Sequence, residues 1–361
     1  MKNVLITGGA GFIGANFTHY LLAKNPDINI VVLDALTYAG NLANLEDVLA
    51  KENFRFVHGD ICDQALVEKL LVEHDIDTLI HFAAESHVDR SITGPDAFIT
   101  ANIVGTHSLL KAAKNIWGGD QAFNGKHFHH VSTDEVYGTL GPDDPAFSES
   151  TPYAPNSPYA ASKASSDHLV RSYHHTYGLP VTTSNCSNNY GPYQFPEKLL
   201  PVCILNILSG KALPIYGDGR QIRDWLHVDD HSKGIELIID SGAVGRTYNI
   251  GGKNEWANID TVTLLCEIMD ELFKEDQSLK QKYPDSPCSQ GRLSNTLITF
   301  VTDRPGHDVR YAIDASRITD ELGYEPVRTF REGLADTVRW YLDNPTWWQA
   351  VQDGSYRNFT L

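Results

Sequence analysis

The stretch TGGAGFIG, residues 7–14, decides the fold of this 361-residue chain. It lies between a short apolar segment at residues 4–7 and an apolar-periodic segment that contains Phe17, Leu21 and Leu22. A strand, a G-x-G-x-x-G turn and a helix in this order are typical of a dinucleotide-binding unit. The glycines let the backbone approach a pyrophosphate, whose charge then rests on the helix N-terminus. The glycines alone would fit a ligand-free turn about equally well.

An acidic residue at the expected distance favours the dinucleotide. Asp34 follows Gly14 by twenty positions and ends the second predicted strand, where a carboxylate can accept both ribose hydroxyls. Ala35 and Leu36 come next, not Arg or Lys, so a 2′-phosphate would meet repulsion without compensation. The pattern therefore favours NAD over NADP.

The first half of the chain alternates β-branched runs with amphipathic segments. This rhythm predicts an α/β fold, a doubly wound parallel Rossmann sheet with helices on both faces. After about residue 186 the rhythm breaks into Pro- and Gly-rich loops and short helices, which predicts a smaller α+β lobe for the substrate. Strands are predicted at residues 4–7, 30–34, 54–58, 78–82, 127–133, 179–184 and 247–251.

These features divide the chain into two predicted domains. The NAD-binding Rossmann domain comprises residues 1–186, with a return segment at about 228–256. The second lobe comprises residues 187–227 and 257–361. Residues 273–296 are polar and contain Pro and Gly, so we expect a surface excursion there between a helix and the next strand.

Charge and composition exclude several other classes of protein. The 46 acidic and 29 basic residues give a net charge of −17, which disfavours nonspecific nucleic-acid binding and membrane adhesion. No apolar run approaches the length of a membrane span. The five cysteines are scattered and form no CxxC pair, as in a reduced, cytoplasmic protein. His127, His129 and His130 lack matched Cys or carboxylate spacing, so no metal is predicted.

Two neighbouring carboxyl groups follow the fifth predicted strand. Thr133, Asp134 and Glu135 fall at the carboxyl edge of the sheet, where ligands of open α/β sheets bind. An adjacent acid and base can expel water between them if one carboxyl group stays protonated. We expect Asp134 to have the raised pKa and Glu135 to be ionised. The alternative is a polar loop without chemistry.

Tyr159 and Lys163 lie four residues apart and therefore share one face of a predicted helix. A free phenol has a pKa of about 10 and is a poor base at neutral pH. A lysine ammonium and a positive nicotinamide ring both favour the phenolate, so the pair suits hydride-transfer chemistry. The pair alone is also typical of a solvated helix face. Its position downstream of the 127–133 strand favours the chemical interpretation.

Eight motifs give the chain a resemblance to a known family. It resembles the extended short-chain dehydrogenases that act on nucleotide sugars and, among them, nearly end to end, the dTDP-glucose 4,6-dehydratase family. The motifs are TGGAGFIG (7–14), LTYAGN (36–41), HFAAESHVDRSI (81–92), STDEVYG (132–138), SPYAASKASSDHLV (157–170), NCSNNYGPYQFPEKL (185–199), GRQIRDWLHVDD (219–230) and DRPGHDVRYAID (303–314).

The resemblance implies an internal redox cycle that consumes no net NAD. Tyr159, supported by Lys163, would take the C4 hydroxyl proton while NAD accepts the C4 hydride and Thr133 bonds that oxygen. Glu135 would then remove the C5 proton as Asp134 protonates the departing C6 hydroxyl. Return of the hydride to C6 and of the proton to C5 gives the 4-keto-6-deoxy sugar nucleotide.

The resemblance also implies ligand contacts and partners. The substrate would be dTDP-glucose, bound by the second lobe, and a homodimer would pair the Tyr159 helix with the helix near residues 99–113. The expected NAD contacts are Gly8, Gly11, Phe12, Ile13, Gly14, Asp34, Ala35, Leu36, Thr37, Asp60, Ile61, Phe82, Ala83, Ala84, Thr100, Tyr159, Lys163 and Asn189. The expected nucleotide-sugar contacts are Ser86, Thr133, Asn188, Glu197, Lys198, Leu199, Pro214, Ile215, Tyr216, Arg223, Asn258, Asp303, Arg304, Pro305, Gly306 and His307.

Several alternatives stay open at this point. A nucleotide-sugar 4-epimerase also oxidises C4, but that family lacks the acid and base at positions 134 and 135. A GDP-mannose dehydratase keeps a carboxylate there but lacks the NNYGPYQFPEKL stretch. A catalytically inactive NAD-binding regulator would have no use for the five residues Thr133, Asp134, Glu135, Tyr159 and Lys163. Either Arg223 or Arg304 fits the charge of a diphosphate, and either fits an ordinary salt bridge.

Overall fold

The computed structural model describes residues 1–118, 123–303 and 308–359. Its largest element is a seven-stranded sheet, and two smaller sheets lie in the second half of the chain. The strands are β1 (Asn3–Thr7), β2 (Asn29–Asp34), β3 (Phe54–His58), β4 (Thr78–His81), β5 (His127–Thr133), β6 (Val181–Cys186), β7 (Asn188–Tyr190), β8 (Leu213–Tyr216), β9 (Ile222–His227), β10 (Thr247–Ile250), β11 (Glu255–Ala257) and β12 (Ile298–Val301).

The large sheet has the predicted doubly wound topology. Its order is β10-β6-β5-β4-β1-β2-β3, and every neighbouring pair is parallel. The order reverses direction between β1 and β4, where Thr7 is in register with His81. Loops at the carboxyl ends of these two strands diverge and leave a crevice, which is the usual ligand site of such sheets. The predicted α/β fold class is confirmed.

Helices cover both faces of this sheet. On one face α1 and α8 bury Phe17, Leu21 and Ile235, and on the other α2 and α6 bury Leu70 and Val170. A π-helical turn, Ile99–Gly105, joins α4 to α5. The helices are α1 (Phe12–Lys24), α2 (Gln64–Glu73), α3 (Val88–Thr93), α4 (Asp96–Phe98), α5 (Thr106–Trp117), α6 (Pro158–Tyr177), α7 (Leu199–Leu208), α8 (Val228–Ser241), α9 (Asn258–Glu275), α10 (Ser278–Lys282), α11 (Ser316–Leu322), α12 (Phe330–Asp343) and α13 (Pro345–Asp353).

Capping residues mark both ends of α6, whose first turn lies near the carboxyl edge of the sheet. The Ser157 hydroxyl accepts a hydrogen bond from the Ala160 N–H (3.0 Å), and Pro158 occupies the first helical position. Gly178 ends the helix in the left-handed conformation, with φ of 72°. Because Pro180 follows and lacks an N–H, β6 begins at Val181, two residues later than predicted.

Most of the second half of the chain forms the smaller α+β lobe, whereas α8, β10 and α11 pack with the large sheet. Its sheets have the orders β11-β9-β7 and β12-β8, and α7, α9 and α12 pack around a core that includes Ile204, Leu265 and Val338. The domain boundaries proposed from the sequence stay a prediction. In the part of the chain that the structure describes, no helix combines the length and apolar character that a membrane crossing requires.

Residues 273–296 connect a helix to the next strand, as expected, and most of them are exposed, but the segment is anchored in the lobe by a few buried side chains. The segment contains the end of α9, α10 and two short 3-10 turns. Leu279, Tyr283 and Cys288 are buried in the lobe's core. Their apolar side chains are spaced too irregularly to give a helix or strand period, so polar neighbours dominate the sequence pattern.

Candidate active site

The glycine-rich turn after β1 leaves room for a ligand only because it lacks side chains. A Cβ on Gly8, which has φ of +73°, would lie 2.5 Å from the Ala83 nitrogen, and one on Gly14 would lie 2.3 Å from the Gly8 oxygen. No side chain caps the N-terminus of α1 at Gly11. The first N–H groups of α1 therefore face the crevice, as pyrophosphate binding requires.

We expect Gly14→Ala to weaken NAD binding by about 100-fold, because the new methyl group forces the turn out of the phosphate-binding geometry. The measurement is NAD affinity by calorimetry, together with the NAD content of the purified protein. Gly94→Ala is the control, since its Cβ would meet nothing closer than the Arg90 oxygen at 3.9 Å. Equal NAD affinity in both variants would contradict this assignment of the turn.

Asp34 ends β2 and is held in place by backbone donors. Its Oδ2 accepts from the Ala10 N–H (2.9 Å) and its Oδ1 from the Leu36 N–H (2.8 Å). Burial raises the pKa of Asp34, and the two backbone hydrogen bonds oppose that shift. The carboxylate is thus fixed beside the glycine turn, which is the position that a ribose-binding acid occupies in such folds.

A cavity of about 590 Å³ opens at the carboxyl edge of the sheet. Every residue expected to contact NAD lines it except Leu36, whose backbone instead adopts φ of 48° beside Asp34. Five residues expected to contact the nucleotide sugar line it as well: Ser86, Thr133, Asn188, Glu197 and Lys198. The structure therefore brings the residues of the two ligand sets together in one space.

The remaining expected sugar contacts lie outside the lining of this cavity. Tyr216 is in register with Val301. The Gln221 side-chain amide donates to Asp303 (2.9 Å), and the main-chain oxygen of Gln221 accepts from the Asn258 N–H (2.9 Å). These contacts form a second cluster in the smaller lobe. The residues outside the cavity lining are Leu199, Pro214, Ile215, Tyr216, Arg223, Asn258 and Asp303. Arg304, Pro305, Gly306 and His307 lie outside the described residues.

Arg223 is buried against the smaller lobe. Its guanidinium donates to the Ile222 oxygen (2.7 Å) and the Asp308 oxygen (3.0 Å) and lies 4.4 Å from the Tyr311 ring centroid. Burial lowers the pKa of Arg223, while Tyr311, followed by Glu135, opposes that shift. These partners are carbonyl groups and an aromatic ring, so in these contacts no carboxylate neutralises the guanidinium charge.

The acid pair sits where β5 ends. The chain turns at Thr133 into a short 3-10 segment, and the Thr133 hydroxyl accepts from the Glu135 N–H and donates to the Asp134 carboxyl, both at 3.3 Å. Asp134 is buried, and its Oδ2 has no hydrogen-bond partner among the residues that the structure describes. Burial, then the Glu135 and Asp224 carboxylates, raises the pKa of Asp134 well above its usual value. The direction of this shift agrees with the raised pKa expected for Asp134 from the sequence.

Tyr159 and Lys163 are both buried on α6, and the Lys163 ammonium donates to the Val131 oxygen (2.9 Å). Burial, and next the Glu135 carboxylate, raises the pKa of Tyr159 well above 10, opposed by a hydrogen bond with Thr133. That Lys163 and the nicotinamide ring together favour the phenolate stays a prediction. The sequence could not show how dry the site is or how close the carboxylates lie.

The sequence analysis missed several residues that line the cavity. Tyr38 and Glu85 belong to quoted motifs, so the motifs themselves could have indicated them. Cys186 ends β6 and donates to the Ser132 oxygen (3.3 Å); burial raises the pKa of its thiol to about 12. Gln194 and Phe195 come from the loop after β7 and, like Cys186, belong to the motif at residues 185–199, which could have indicated them too.

The described ranges contain no group of three or more His, Cys, Asp or Glu side chains arranged to hold a metal ion. The strand histidines have other partners. His129 bonds the hydroxyls of Thr182 (2.8 Å) and Ser184 (3.1 Å), and His130 bonds Asp167 (3.0 Å). These contacts account for two of the three histidines as elements of the β5–β6 and β5–α6 packing.

The dinucleotide turn, the acid at the end of β2 and the buried Tyr-Lys pair together define a short-chain dehydrogenase type of protein. The family model described as GDP-mannose 4,6 dehydratase matches residues 5–337. The chain belongs to this family of nucleotide-sugar dehydratases and, within it, to the dTDP-glucose 4,6-dehydratases.

Individual relatives support this placement along the whole chain. A dTDP-glucose 4,6-dehydratase from Xanthomonas campestris pv. campestris (strain B100) is 55% identical over 359 residues, covering 99% of this chain and 98% of that protein. The crystal structure of DesIV, a dTDP-glucose 4,6-dehydratase from Streptomyces venezuelae with NAD bound, superposes with a TM-score of 0.85 at 46% identity, covering 97% and 99% of the two chains. UDP-glucose 4-epimerase from Thermotoga maritima has a TM-score of 0.80 at 26% identity, covering 95% and 99%. The fold alone therefore does not distinguish dehydratase from epimerase.

Proposed function

We propose that the protein converts dTDP-glucose to dTDP-4-keto-6-deoxyglucose and water by an internal, NAD-dependent redox cycle. The observation that carries this proposal is the Asp134-Glu135 pair beside the Tyr159-Lys163 pair in one cavity. The first pair suits the loss of water and the second suits oxidation of an alcohol. Relatives of this activity that match nearly the whole chain support the same conclusion.

The cavity fits a dinucleotide along the edge of β1, β2 and β4. NAD, when bound, supplies the hydride acceptor and donor of the cycle and, in its oxidised form, a positive charge that favours the Tyr159 phenolate. The glycine turn and the N-terminus of α1 would hold the pyrophosphate, and Asp34 would hold a ribose. Tyr159 takes the proton of the C4 hydroxyl, which Thr133 orients.

The two carboxyl groups then divide the elimination. The C4 ketone acidifies the C5–H bond, and the Glu135 carboxylate takes that proton. Asp134 gives its proton to the C6 oxygen as the C6–O bond breaks, so water leaves and a C5–C6 double bond forms. Hydride addition at C6 and protonation at C5 complete the product. The Thr133 hydroxyl holds the Asp134 carboxyl group and the backbone of Glu135, because it donates to the former and accepts from the Glu135 N–H.

We expect the loss of water to depend on the protonated form of Asp134. Because the pKa of Asp134 is raised, its acid form persists to higher pH than that of an ordinary aspartate and is lost as the pH rises through the raised value. Asp134→Asn keeps the shape but has no proton to give, so product formation should fall about 100-fold and lose this alkaline limb. The measurement is the pH profile of product formation. The control is the reduction of bound NAD by the same variant, because that reduction does not need Asp134. Wild-type rates of product would contradict the acid role.

A simple incubation tests the proposed function itself. The purified protein is given dTDP-glucose or UDP-glucose without added NAD, and the alkali-induced ultraviolet absorbance of a 4-keto sugar is followed. We expect product from dTDP-glucose with no free NADH. A sugar of galactose configuration that retains its C6 oxygen would establish the 4-epimerase instead, and the absence of any reaction would favour an NAD-binding regulator.

We also infer a homodimer and a cytoplasmic location. Ile99 and Val104 are 45% and 50% exposed on the π-helical turn that packs against α6, so an apolar strip is available to a second copy. The five cysteines are all unpaired, which suits a reducing compartment.

The sugar contacts in the smaller lobe, Arg223 among them, would bind the nucleotide diphosphate, whose charge suits a guanidinium.

A further inference from the structure

A buried polar cluster lies directly behind the catalytic lysine. Asp167 is one helical turn beyond Lys163 on α6 and is 5% exposed. Its Oδ1 is 3.0 Å from His130 Nε2, and its Oδ2 accepts from the hydroxyls of Ser132 (2.9 Å) and Tyr153 (2.9 Å). A carboxyl group with three donors and no access to water is built into the protein, not placed at its surface.

Because the Lys163 ammonium is buried, it needs a nearby group of opposite charge. It donates a hydrogen bond to the neutral Val131 oxygen. Burial lowers the pKa of Lys163, and Asp167 opposes that shift more strongly than the Cys186 thiol does. A buried ammonium that loses its counter-charge gives up its proton, because the charged form is costly in a dry environment.

Asp167 also fixes the strand that carries the reacting groups. Val131, the partner of Lys163, lies between His130 and Ser132, and both of these neighbours bond Asp167. The Asp167 carboxylate and the Lys163 ammonium thus hold three consecutive residues of β5 from the same face of α6. Thr133, which orients the acid pair, follows immediately.

We propose that Asp167 is a positioning residue of the reaction, which keeps Lys163 charged on the Val131 carbonyl and holds the end of β5 in register with α6. The inference deepens the proposed function, since the step it supports is removal of the C4 hydroxyl proton by Tyr159. Asp167 does not touch the cavity, so it acts through Lys163 and β5.

The groups around Asp167 set the direction of its pH dependence. Lys163 and His168 face it from α6, His130 and Ser132 from β5, and Tyr153 from the loop before α6; Tyr137 lies behind Tyr153. Burial raises the pKa of Asp167 to about 6, opposed first by Lys163. The pKa of His130 is lowered well below its usual value by burial, so His130 stays neutral. Activity is therefore present above pH 6 and is lost as the pH falls through about 6.

Because the pKa of Asp167 is raised in the folded protein, protonation of Asp167 affects activity and stability differently. A carboxyl group whose pKa is higher in the folded protein stabilises the fold below its unfolded pKa, and that contribution is lost as the pH rises through the folded value. Protonation of Asp167 near pH 6 therefore lowers activity without lowering stability. A merely structural ion pair would lower both.

Asp167→Asn is the central variant, and Tyr153→Phe is the matched control. It removes the hydrogen bonds of the Tyr153 hydroxyl with Asp167 (2.9 Å) and Asn185 (3.2 Å) but keeps the charge of Asp167. We expect Asp167→Asn to lower kcat about 100-fold with KM within a few-fold, and Asp167→Glu to restore part of the loss. Tyr153→Phe should keep kcat at pH 8 and move the acid limb upward, because the lost hydrogen bond lowered the pKa of Asp167. Wild-type kcat and an unchanged acid limb in Asp167→Asn, or equal losses in the two variants, would overturn the inference.

A second readout needs neither substrate nor turnover. NMR of isotope-labelled lysine in the NAD-bound protein should show Lys163 losing its proton at lower pH in Asp167→Asn than in the wild type. The same titration curve in both would refute the inference even if the proposed reaction fails in the product assay. If Asp167→Asn does not fold, the acid limb of Tyr153→Phe decides: an upward shift supports the role of Asp167, and an unmoved limb overturns it.

Discussion

Glu135→Gln should give a protein that reduces its bound NAD with dTDP-glucose but releases product about 1,000-fold more slowly than the wild type. The glutamine keeps the size of the side chain and cannot remove the C5 proton. Oxidation at C4 does not need Glu135. The Glu135 carboxylate even raises the pKa of Tyr159, so its loss should move the pH dependence of NAD reduction to lower pH. The expected state is a trapped 4-keto sugar with reduced nicotinamide.

Two signals recorded on the same sample test this expectation. The absorbance of reduced nicotinamide should rise to one equivalent per active site and stay there, while the alkali-induced absorbance of the released product stays near the blank. Glu73→Gln, an exposed position on α2, is the control and should turn over normally. Full turnover by Glu135→Gln would remove the base from the mechanism, and loss of both signals would place Glu135 in the first oxidation step.

The sheet could be predicted because each of its signals is local. The strand, glycine turn, helix and acid of residues 4–34 follow one another within one βαβ unit, and the glycines are required by contacts that the structure makes explicit at Gly8 and Gly14. The edge position of Asp134 and Glu135 also follows from local order, because the carboxyl ends of parallel strands meet on one side. For the same reason the cavity contains nearly all the expected NAD contacts.

The smaller lobe resists such prediction because its contacts join distant segments. Gln221 bonds Asp303 across 82 positions, and Arg223 bonds the Asp308 carbonyl across 85. No spacing rule connects residues so far apart, so only the resemblance placed Arg223 and Asp303 in a common site. The segment 273–296 shows the same limit, since its buried side chains pack into a core that the sequence alone does not reveal.

The direction of the pKa shift of Asp134 could be predicted, because Glu135 is its neighbour in the sequence. Burial contributes most to this raised pKa, and the Glu135 carboxylate adds to it. The pKa of Tyr159 depends on how completely α6 and β5 exclude water, which the spacing of a Tyr-x-x-x-Lys pair does not show. The role inferred for Asp167 could not be predicted from the sequence either. Its position four residues after Lys163 indicates no function by itself, because its contacts with His130, Ser132 and Tyr153 are seen only in the structure.

Tyr159→Phe should stop the reaction one step earlier than Glu135→Gln, with NAD reduction and product formation both about 10,000-fold slower than in the wild type. The variant removes one hydroxyl and keeps the ring, whose centroid lies 6.3 Å from that of Phe98. The melting temperature should therefore change little. A buried phenol with a raised pKa gives up its proton only with the oxidised cofactor beside it, and phenylalanine has no proton-accepting group at all.

The two variants together locate the step at which each side chain acts. Single-turnover mixing of NAD-loaded Tyr159→Phe with dTDP-glucose should leave the nicotinamide oxidised, whereas Glu135→Gln becomes reduced under the same conditions. Tyr248→Phe is the matched control, since that hydroxyl is buried far from the cavity against the Ala243 N–H (3.0 Å) and Glu321 (2.9 Å). Rapid nicotinamide reduction by Tyr159→Phe would show that another group takes the C4 hydroxyl proton, and Thr133, held between the two pairs, would then be the first residue to substitute.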